Sequence, residues 1–326
     1  SNNFFVTKDD ITQGLVNLGL KTGDLLMVHS SLSSIGFVEG GAKTIVDCLL
    51  DVLGNEGTLV VPTFTYPSAF TDSADEMWVF DPSSTNSGVG SITNEVIRRS
   101  SSRRSIHLWH SVSSIGPLSE LIVSVGRSSA WDFDSPMSWI LSNGGSILLL
   151  GVPYQNLTAI HVWEVEFQVD YRRDYYIERR LRKPDGKIEP LLSRVHSPKE
   201  SYPGQDFNRF GERLEGDNKV NKGSVGNAIA RLFSAEDAYS LAKTMYQEDK
   251  KCFLKKSQSA TKLTFTQNQP YLGFVLVLDT EVTYQFQGLP KVNLDENHLD
   301  LIYVPKLQID YHKHSGLYLF YILDVF

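Results

Sequence analysis

Apolar residues recur along this chain in two rhythms, and the alternation between them predicts the fold. Ile11, Leu15 and Leu18 fall at helical spacing behind Thr7-Lys-Asp-Asp10, which has the form of a capping box, and Gly19 closes the helix. Leu25–His29 is then a short unbroken apolar run, as expected of a strand buried on both faces. Ala42–Leu53 returns to helical spacing behind Gly40-Gly41 and stops at Gly54, and Thr58–Thr63 reads as the next buried strand. Helices are expected again over 90–99, 117–125, 136–141 and 161–169, with strands at 111–115 and 146–151. Residues 66–86 show no clean period and read as a loop. Asp170–Arg182 is charged and tyrosine-bearing, Lys183-Pro-Asp-Gly186 is a turn, and Asn221–Gly226 leads into a long helical pattern ending near Cys252. Strands alternating with helices predict an α/β chain, arranged as an α/β/α layered sandwich around a central mixed sheet.

The pattern changes after Lys250. Lys255–Thr261 is a polar join, followed by Tyr271–Asp279, Glu281–Phe286, Leu299–Val304 and Gly316–Phe326, all β-type runs between turn signals. Two domains are therefore expected, 1–256 and a small β-rich tail at 257–326 with the spacing of a partial antiparallel sandwich. Open strand edges favour pairing between chains, so a homodimer is expected.

Charge and cysteine usage narrow the class. A formal net charge of −7 is opposite to the basic footprint of a nucleic-acid binder. Two cysteines, Cys48 and Cys252, lie in apolar surroundings and suit reduced thiols. No basic-then-apolar leader opens the chain, and no apolar run approaches the ~20 residues of a membrane helix. A cytoplasmic protein with a small-molecule partner is the expectation, with neither nucleic acid nor membrane.

Candidate chemistry concentrates on histidines at the edges of apolar runs. His161 follows the wholly apolar run Ser146–Gly151, and in open α/β sheets ligands bind beyond the carboxyl ends of strands. Glu164 lies one helical turn on and could orient the imidazole of a general base. The alternative is a core histidine bonded to a backbone carbonyl. His107 and His110 flank Trp109; His110, followed by Ser111 and Ser113, could face a substrate or could simply pack. No cysteine or carboxylate stands at ligand spacing beside them, so no metal is expected. Ser30, Ser31 and Gly36, with Gly40-Gly41 at a helix start, could cradle a phosphate, although they match neither a Walker loop nor a dinucleotide fingerprint. Without a G-x-S-x-G elbow, Ser30 or Ser31 as a hydrolase nucleophile is a lesser alternative. Arg98-Arg99 and Arg103-Arg104 could meet phosphate or form a solvated surface, and Asp72, Asp75, Glu76, Asp81, Asp132 and Asp134 could attract an amine-bearing substrate.

A series of segments carries a wider resemblance: Val28-His-Ser-Ser-Leu-Ser-Ser-Ile-Gly36 with Gly40-Gly-Ala42, Gly57–Thr63, Phe80-Asp-Pro82, Arg104-Ser-Ile-His107 through His110-Ser-Val112, Gly116-Pro117, Ser135-Pro136, Gly144–Gly151 and Thr158-Ala-Ile-His161 with Glu164. Asp206-Phe207 with Gly211, Gly223 to Ala228, and Arg231-Leu-Phe233 continue the series. In this order they resemble the aminoglycoside 3-N-acetyltransferase family, over about residues 7–254. The resemblance implies acetyl-CoA as co-substrate and an amine of an aminoglycoside or related amino sugar as acceptor. It implies His161 and Glu164 as the catalytic residues, His161 as the general base and Glu164, with loop carboxylates, holding the ammonium groups of the acceptor. Ser30, Ser31, Leu32, Gly36, Gly41, Ser111, Ser113 and Ser135 would contact coenzyme A, and Tyr66, Glu76, Trp109 and His110 would contact the acceptor. Two positions depart from the family pattern: Gln155 stands where an Asp is usual, and Leu108-Trp109 replaces Pro-Thr. Val169-Asp-Tyr-Arg172 is similar to members that acylate nucleotide-linked amino sugars in polysaccharide biosynthesis. A non-catalytic ligand-binding or regulatory protein is the further alternative, and the tail resembles the start of the sensory β-domain of AraC-type regulators.

Overall fold

The computed structural model describes residues 5–66, 75–126, 128–200 and 202–256. The chain divides into two units, residues 1–255 and 256–326. The expected β-runs of the tail and Asp72 lie outside the described residues.

Thr7 opens α1 (Lys8–Asn17) with a reciprocal cap. Its hydroxyl accepts from Asp10 N at 3.2 Å and its own N–H donates to the Asp10 carboxylate at 2.9 Å. The chain then forms β1 (Leu25–Ser30), the single turn α2 (Leu32–Ile35), α3 (Gly41–Leu53) and β2 (Thr58–Pro62). Next come β3 (Val79–Phe80), α4 (Ser91–Arg98), β4 (Arg103–Arg104), β5 (Val112–Ile115), α5 (Ser119–Ser124), α6 (Pro136–Ser142) and β6 (Ser146–Leu150). A 3₁₀ turn, Tyr154–Asn156, leads to α7 (Ile160–Glu166). β7 (Arg172–Arg182), β8 (Ile188–Pro198), α8 (Asn208–Gly216), β9 (Asn221–Val225), β10 (Ala228–Ser234) and α9 (Ala235–Glu248) complete the described elements.

The central sheet has the order β4-β5-β2-β1-β6-β10-β9. β1 runs parallel to β2 and β6, while β5 and β10 join antiparallel on either side, so the sheet is mixed as expected. Period-two alternation inside the unbroken apolar runs separates two cores. Leu26, Val28, Leu59, Val61, Leu148 and Leu150 face one way, against Ile11 and Leu15 of α1, Ile45 and Leu49 of α3, and Ile92 of α4. Leu25, Met27, Val60, Ile147 and Leu149 face the other, against Ile140 of α6, Trp163 of α7, Phe210 of α8 and Leu241 of α9. Burying such a side chain contributes about 1.5–3 kcal/mol. Both parities of β1 and β6 must therefore be apolar, which is why these strands show no alternation in sequence.

One expectation is corrected. Residues 227–252 are not one helix: Ala228–Ser234 is the strand β10, and α9 begins only at Ala235, where Ser234 Oγ accepts from Asp237 N at 3.0 Å. β10 hydrogen-bonds to β6, and that tertiary pairing overrides the local helical pattern. The charged stretch 170–182, for which the sequence predicts no element, is mostly strand: β7 pairs antiparallel with β8 over eleven residues, and β3 adds in parallel. This ribbon buries a small cluster of its own, Phe80, Leu108, Leu181 and Leu191.

The three parallel strands end together. Ser30 at the end of β1, Pro62 at the end of β2 and Gly151 just beyond β6 all line one cleft. Gly151 has φ +72°, and a Cβ there would meet Ser34 Cβ at 2.7 Å, so glycine lets the β6 turn pass against α2.

Candidate active site

The cleft has two compartments that share Ser30, Val89, Val152 and Asn156. The larger, about 920 Å³, lies against Ser31, Leu32, Gly36 and Gly41 and against Gly90 and Ser91. It therefore meets the start of α3 and the start of α4. Neither helix has a side-chain cap: the N-cap residues are Gly40, with φ +76°, and Gly90. Uncapped helix starts offer backbone N–H groups and a favourable dipole to an anion.

The smaller compartment, about 250 Å³, contains His161. His161 lies in the first turn of α7, and Glu164 one turn on shares its face, so Nδ1 sits 2.6 Å from Glu164 Oε2. The carboxylate accepts the Nδ1 proton, which leaves Nε2 as the basic nitrogen. Glu164 is fully buried. Arg172 Nε stands 2.6 Å from the same oxygen as an ion pair, off the line of a hydrogen bond. Burial pushes the Glu164 carboxyl upward, but His161 and Arg172 together outweigh it and hold the group below the usual range. Burial and the Arg172 charge lower the His161 imidazole against the opposing pull of Glu164. The ring is thus neutral at pH 7, oriented, and able to accept a proton.

Arg172 is itself fixed. Its Nη2 donates to Tyr202 Oη at 3.2 Å and to Gln205 Oε1 at 3.3 Å, with the guanidinium over the Tyr202 ring at 5.2 Å. Gln155, at the position of the family's usual Asp, holds the same loop: its Nε2 donates to Gln205 O, and its Oε1 accepts from Phe207 N, each at 3.1 Å. A line of contacts therefore runs from Gln155 through Gln205 and Arg172 to Glu164 and His161.

Aromatic rings wall the smaller compartment. Trp131 lies between His110 and His161, with ring centroids 5.1 Å from each, and Phe64 and Tyr66 close on His110 at 5.1 and 5.7 Å. Burial lowers the imidazole of His29 to about 4, and burial above all drives that of His110 well down. Both rings are neutral. His29 Nε2, Ser30 Oγ, His110 Nδ1 and Thr158 Oγ1 are buried without a protein partner, all on residues that line this compartment. Buried polar atoms left unpaired cost stability, and a ligand bearing hydroxyls and amines would pair them.

The residues expected from sequence divide clearly. Ser30, Ser31, Leu32, Gly36 and Gly41 line the larger compartment, and Tyr66, His110 and His161 the smaller, with Glu164 behind His161. Ser111 and Ser113 do not reach the cleft: both are fully buried, and Ser111 Oγ donates to Thr63 O at 3.0 Å. Ser135 is fully buried as the N-cap of α6, accepting from Ser138 N at 3.1 Å. Trp109 packs against the cluster beneath the β7–β8 ribbon, and Glu76 is exposed outside the described cleft lining. Arg104 is spent on Ser111 Oγ, Thr85 O and Thr63 O, while Arg99 pairs with Asp47 and Glu95. His107 is scaffold: Nδ1 accepts from the backbones of Trp109 and His110 at 3.1 and 2.9 Å, so Nε2 donates to Arg194 O at 3.2 Å. Sequence reading missed Arg172, Gln205, Trp131 and Gly90-Ser91. Among the described residues no three His, Cys, Asp or Glu side chains gather as a metal site, and no helix is long and apolar enough to cross a membrane.

Comparison with known proteins gives the family. The profile of the family described as aminoglycoside 3-N-acetyltransferase matches residues 27–247. Aminoglycoside N(3)-acetyltransferase III of a Salmonella species is 34% identical over 195 residues, covering 56% of this chain and 68% of that protein. The enzyme of the same name from Serratia marcescens is 28% identical over 273 residues, covering 74% of this chain and 97% of its own. The solved structure of aminoglycoside acetyltransferase AAC(3)-IIb superposes with a TM-score of 0.66 at 27% identity, covering 75% of this chain and 98% of that one.

Proposed function

The chain belongs to the aminoglycoside 3-N-acetyltransferase family, and from that premise we propose that His161 is the general base of its acetyl transfer, with Glu164 as the group that orients it. The reaction moves an acetyl group from acetyl-CoA to an amine of an aminoglycoside. The carrying observation is the buried His161–Glu164 contact of 2.6 Å, with His161 lining the smaller compartment of a two-part cleft.

Acetyl-CoA supplies the acetyl group as a thioester. The larger compartment suits such a co-substrate: it has a volume of about 920 Å³, and its two uncapped helix starts suit the diphosphate. Ser30 lines both compartments, with its Oγ unpartnered, and so stands where donor and acceptor meet. The smaller compartment presents rings and unpaired polar atoms to the sugar amine. His161 Nε2 takes the proton that the amine loses as its nitrogen bonds to the acetyl carbon. The protonated ring then returns that proton to the departing sulfur. Glu164 stabilises the transient imidazolium and keeps the proton on Nδ1 beforehand.

Transfer is direct. Cys48 and Cys252 are both buried, and neither lines either compartment, so no thiol of the described cleft can carry the acetyl group. Initial rates of thiol release, with acetyl-CoA and an aminoglycoside varied together, test this. Intersecting double-reciprocal lines are expected; parallel lines would mean a covalent acetyl-enzyme and would overturn direct transfer.

A further inference from the structure

We propose that Phe37 is the platform on which the adenine of acetyl-CoA stacks, an inference that rests on the donor occupying the larger compartment. Among the described residues lining that compartment, Phe37 is the one aromatic ring, whereas the smaller compartment is walled by several. The order of groups along the donor places it. The thioester must reach the compartment that His161 lines, and the diphosphate belongs at the starts of α3 and α4. Phe37 lies four residues before Gly41, the first residue of α3, and lines only the larger compartment. The base, attached on the far side of the diphosphate, is the part of the donor left to meet it.

Phe37 is also costly as it stands. It is 64% exposed, and its neighbour Phe5 is 56% exposed, although a phenyl ring normally gains from burial. The two rings meet edge to face, with centroids 4.9 Å apart and planes at 78°. Their backbones are tied: Val6 N donates to Phe37 O at 2.9 Å, and Glu39 N to Val6 O at 3.3 Å. Gly36, at φ +105°, sets the direction of the chain, and Asn227 Nδ2 would lie 2.5 Å from a Cβ there. Asn227 N in turn donates to Ile35 O at 2.9 Å. The ring is therefore held in place from both sides while an apolar surface stays open. Nucleobases stack on such rings with a strength that alanine substitution reveals as about 1–3 kcal/mol.

The test compares two donors, acetyl-CoA and acetyl-pantetheine, which lacks the nucleotide. Phe37→Ala should raise KM for acetyl-CoA roughly tenfold, in line with that stacking strength, and leave kcat unchanged. With acetyl-pantetheine the variant and the wild type should share one KM. Phe37→Tyr, which keeps a ring, should behave as wild type with both donors. An unchanged KM for acetyl-CoA in Phe37→Ala overturns the proposal, as does an equal penalty with both donors. If the wild type itself fails to turn over acetyl-CoA, the donor assignment falls and this inference falls with it; wild-type turnover with an unaffected variant removes the stacking alone.

Discussion

At the scale of single residues, two charges and burial set the state of one imidazole. Glu164 raises the His161 pKa and Arg172 lowers it, with burial as the largest lowering influence. A histidine base is lost as pH falls through its pKa, so the acid limb of kcat should lie below the ordinary 6.5. The two neighbours should move that limb in opposite directions. Glu164→Gln removes a raising charge, so the limb should shift to lower pH, and kcat should fall because the tautomer is no longer held. Arg172→Gln removes a lowering charge, so the limb should shift to higher pH. Profiles of kcat from pH 5 to 9 check both signs, and a shift of both variants in one direction would contradict the arrangement. The His161–Glu164 pair was legible in sequence, because i and i+3 share a helix face. Arg172 was not. In Arg172-Arg-Asp174 only the first residue is buried and the next two are exposed, a pattern that strand alternation does not give and that nothing in composition marks. The serines are ambiguous in sequence for the opposite reason: small hydroxyl residues suit a ligand turn, a sheet interior and a helix cap alike, and Ser111, Ser113 and Ser135 are fully buried.

At the scale of elements, close packing between α8 and the turn before α7 keeps the dyad in register. A Cβ at Gly211 would fall 1.9 Å from the Tyr154 ring. Tyr154 begins the 3₁₀ turn that carries Gln155, whose amide holds the 205–207 loop against Arg172. Gly211→Ala should therefore cost about 1–3 kcal/mol, the usual range for overpacking. Thermal unfolding should show a lowered Tm, and an unchanged Tm would mean that α8 yields freely. The strands β1, β2, β5 and β6 and most of the helices were visible in the chain's periodicity, because burial on one or two faces writes directly into apolar spacing. β10 and the β7–β8 ribbon were not. β10 owes its form to its pairing with β6, and the ribbon is polar on most of its surface, so neither displays a local period of its own.

At the scale of the whole molecule, the mixed sheet and its two apolar layers place the carboxyl ends of β1, β2 and β6 together, and the cleft lies there. Every described residue that lines it precedes residue 206. A chain ending at Lys256 is expected to keep thiol-releasing activity within about twofold of the full chain; loss of turnover would assign the tail an essential part. Acetyl-CoA at about 100 times its Kd should stabilise the protein by about 2.7 kcal/mol, seen as a raised Tm. Acetylation turns an amine that carries positive charge into a neutral amide. The central claim is that one neutral histidine takes the proton released in that step. The most direct test is kcat for thiol release from acetyl-CoA with a saturating aminoglycoside, comparing wild type with His161→Ala. The account predicts a fall of about 10²–10⁴-fold with the KM for acetyl-CoA nearly unchanged. Turnover by His161→Ala at near the wild-type rate would contradict it.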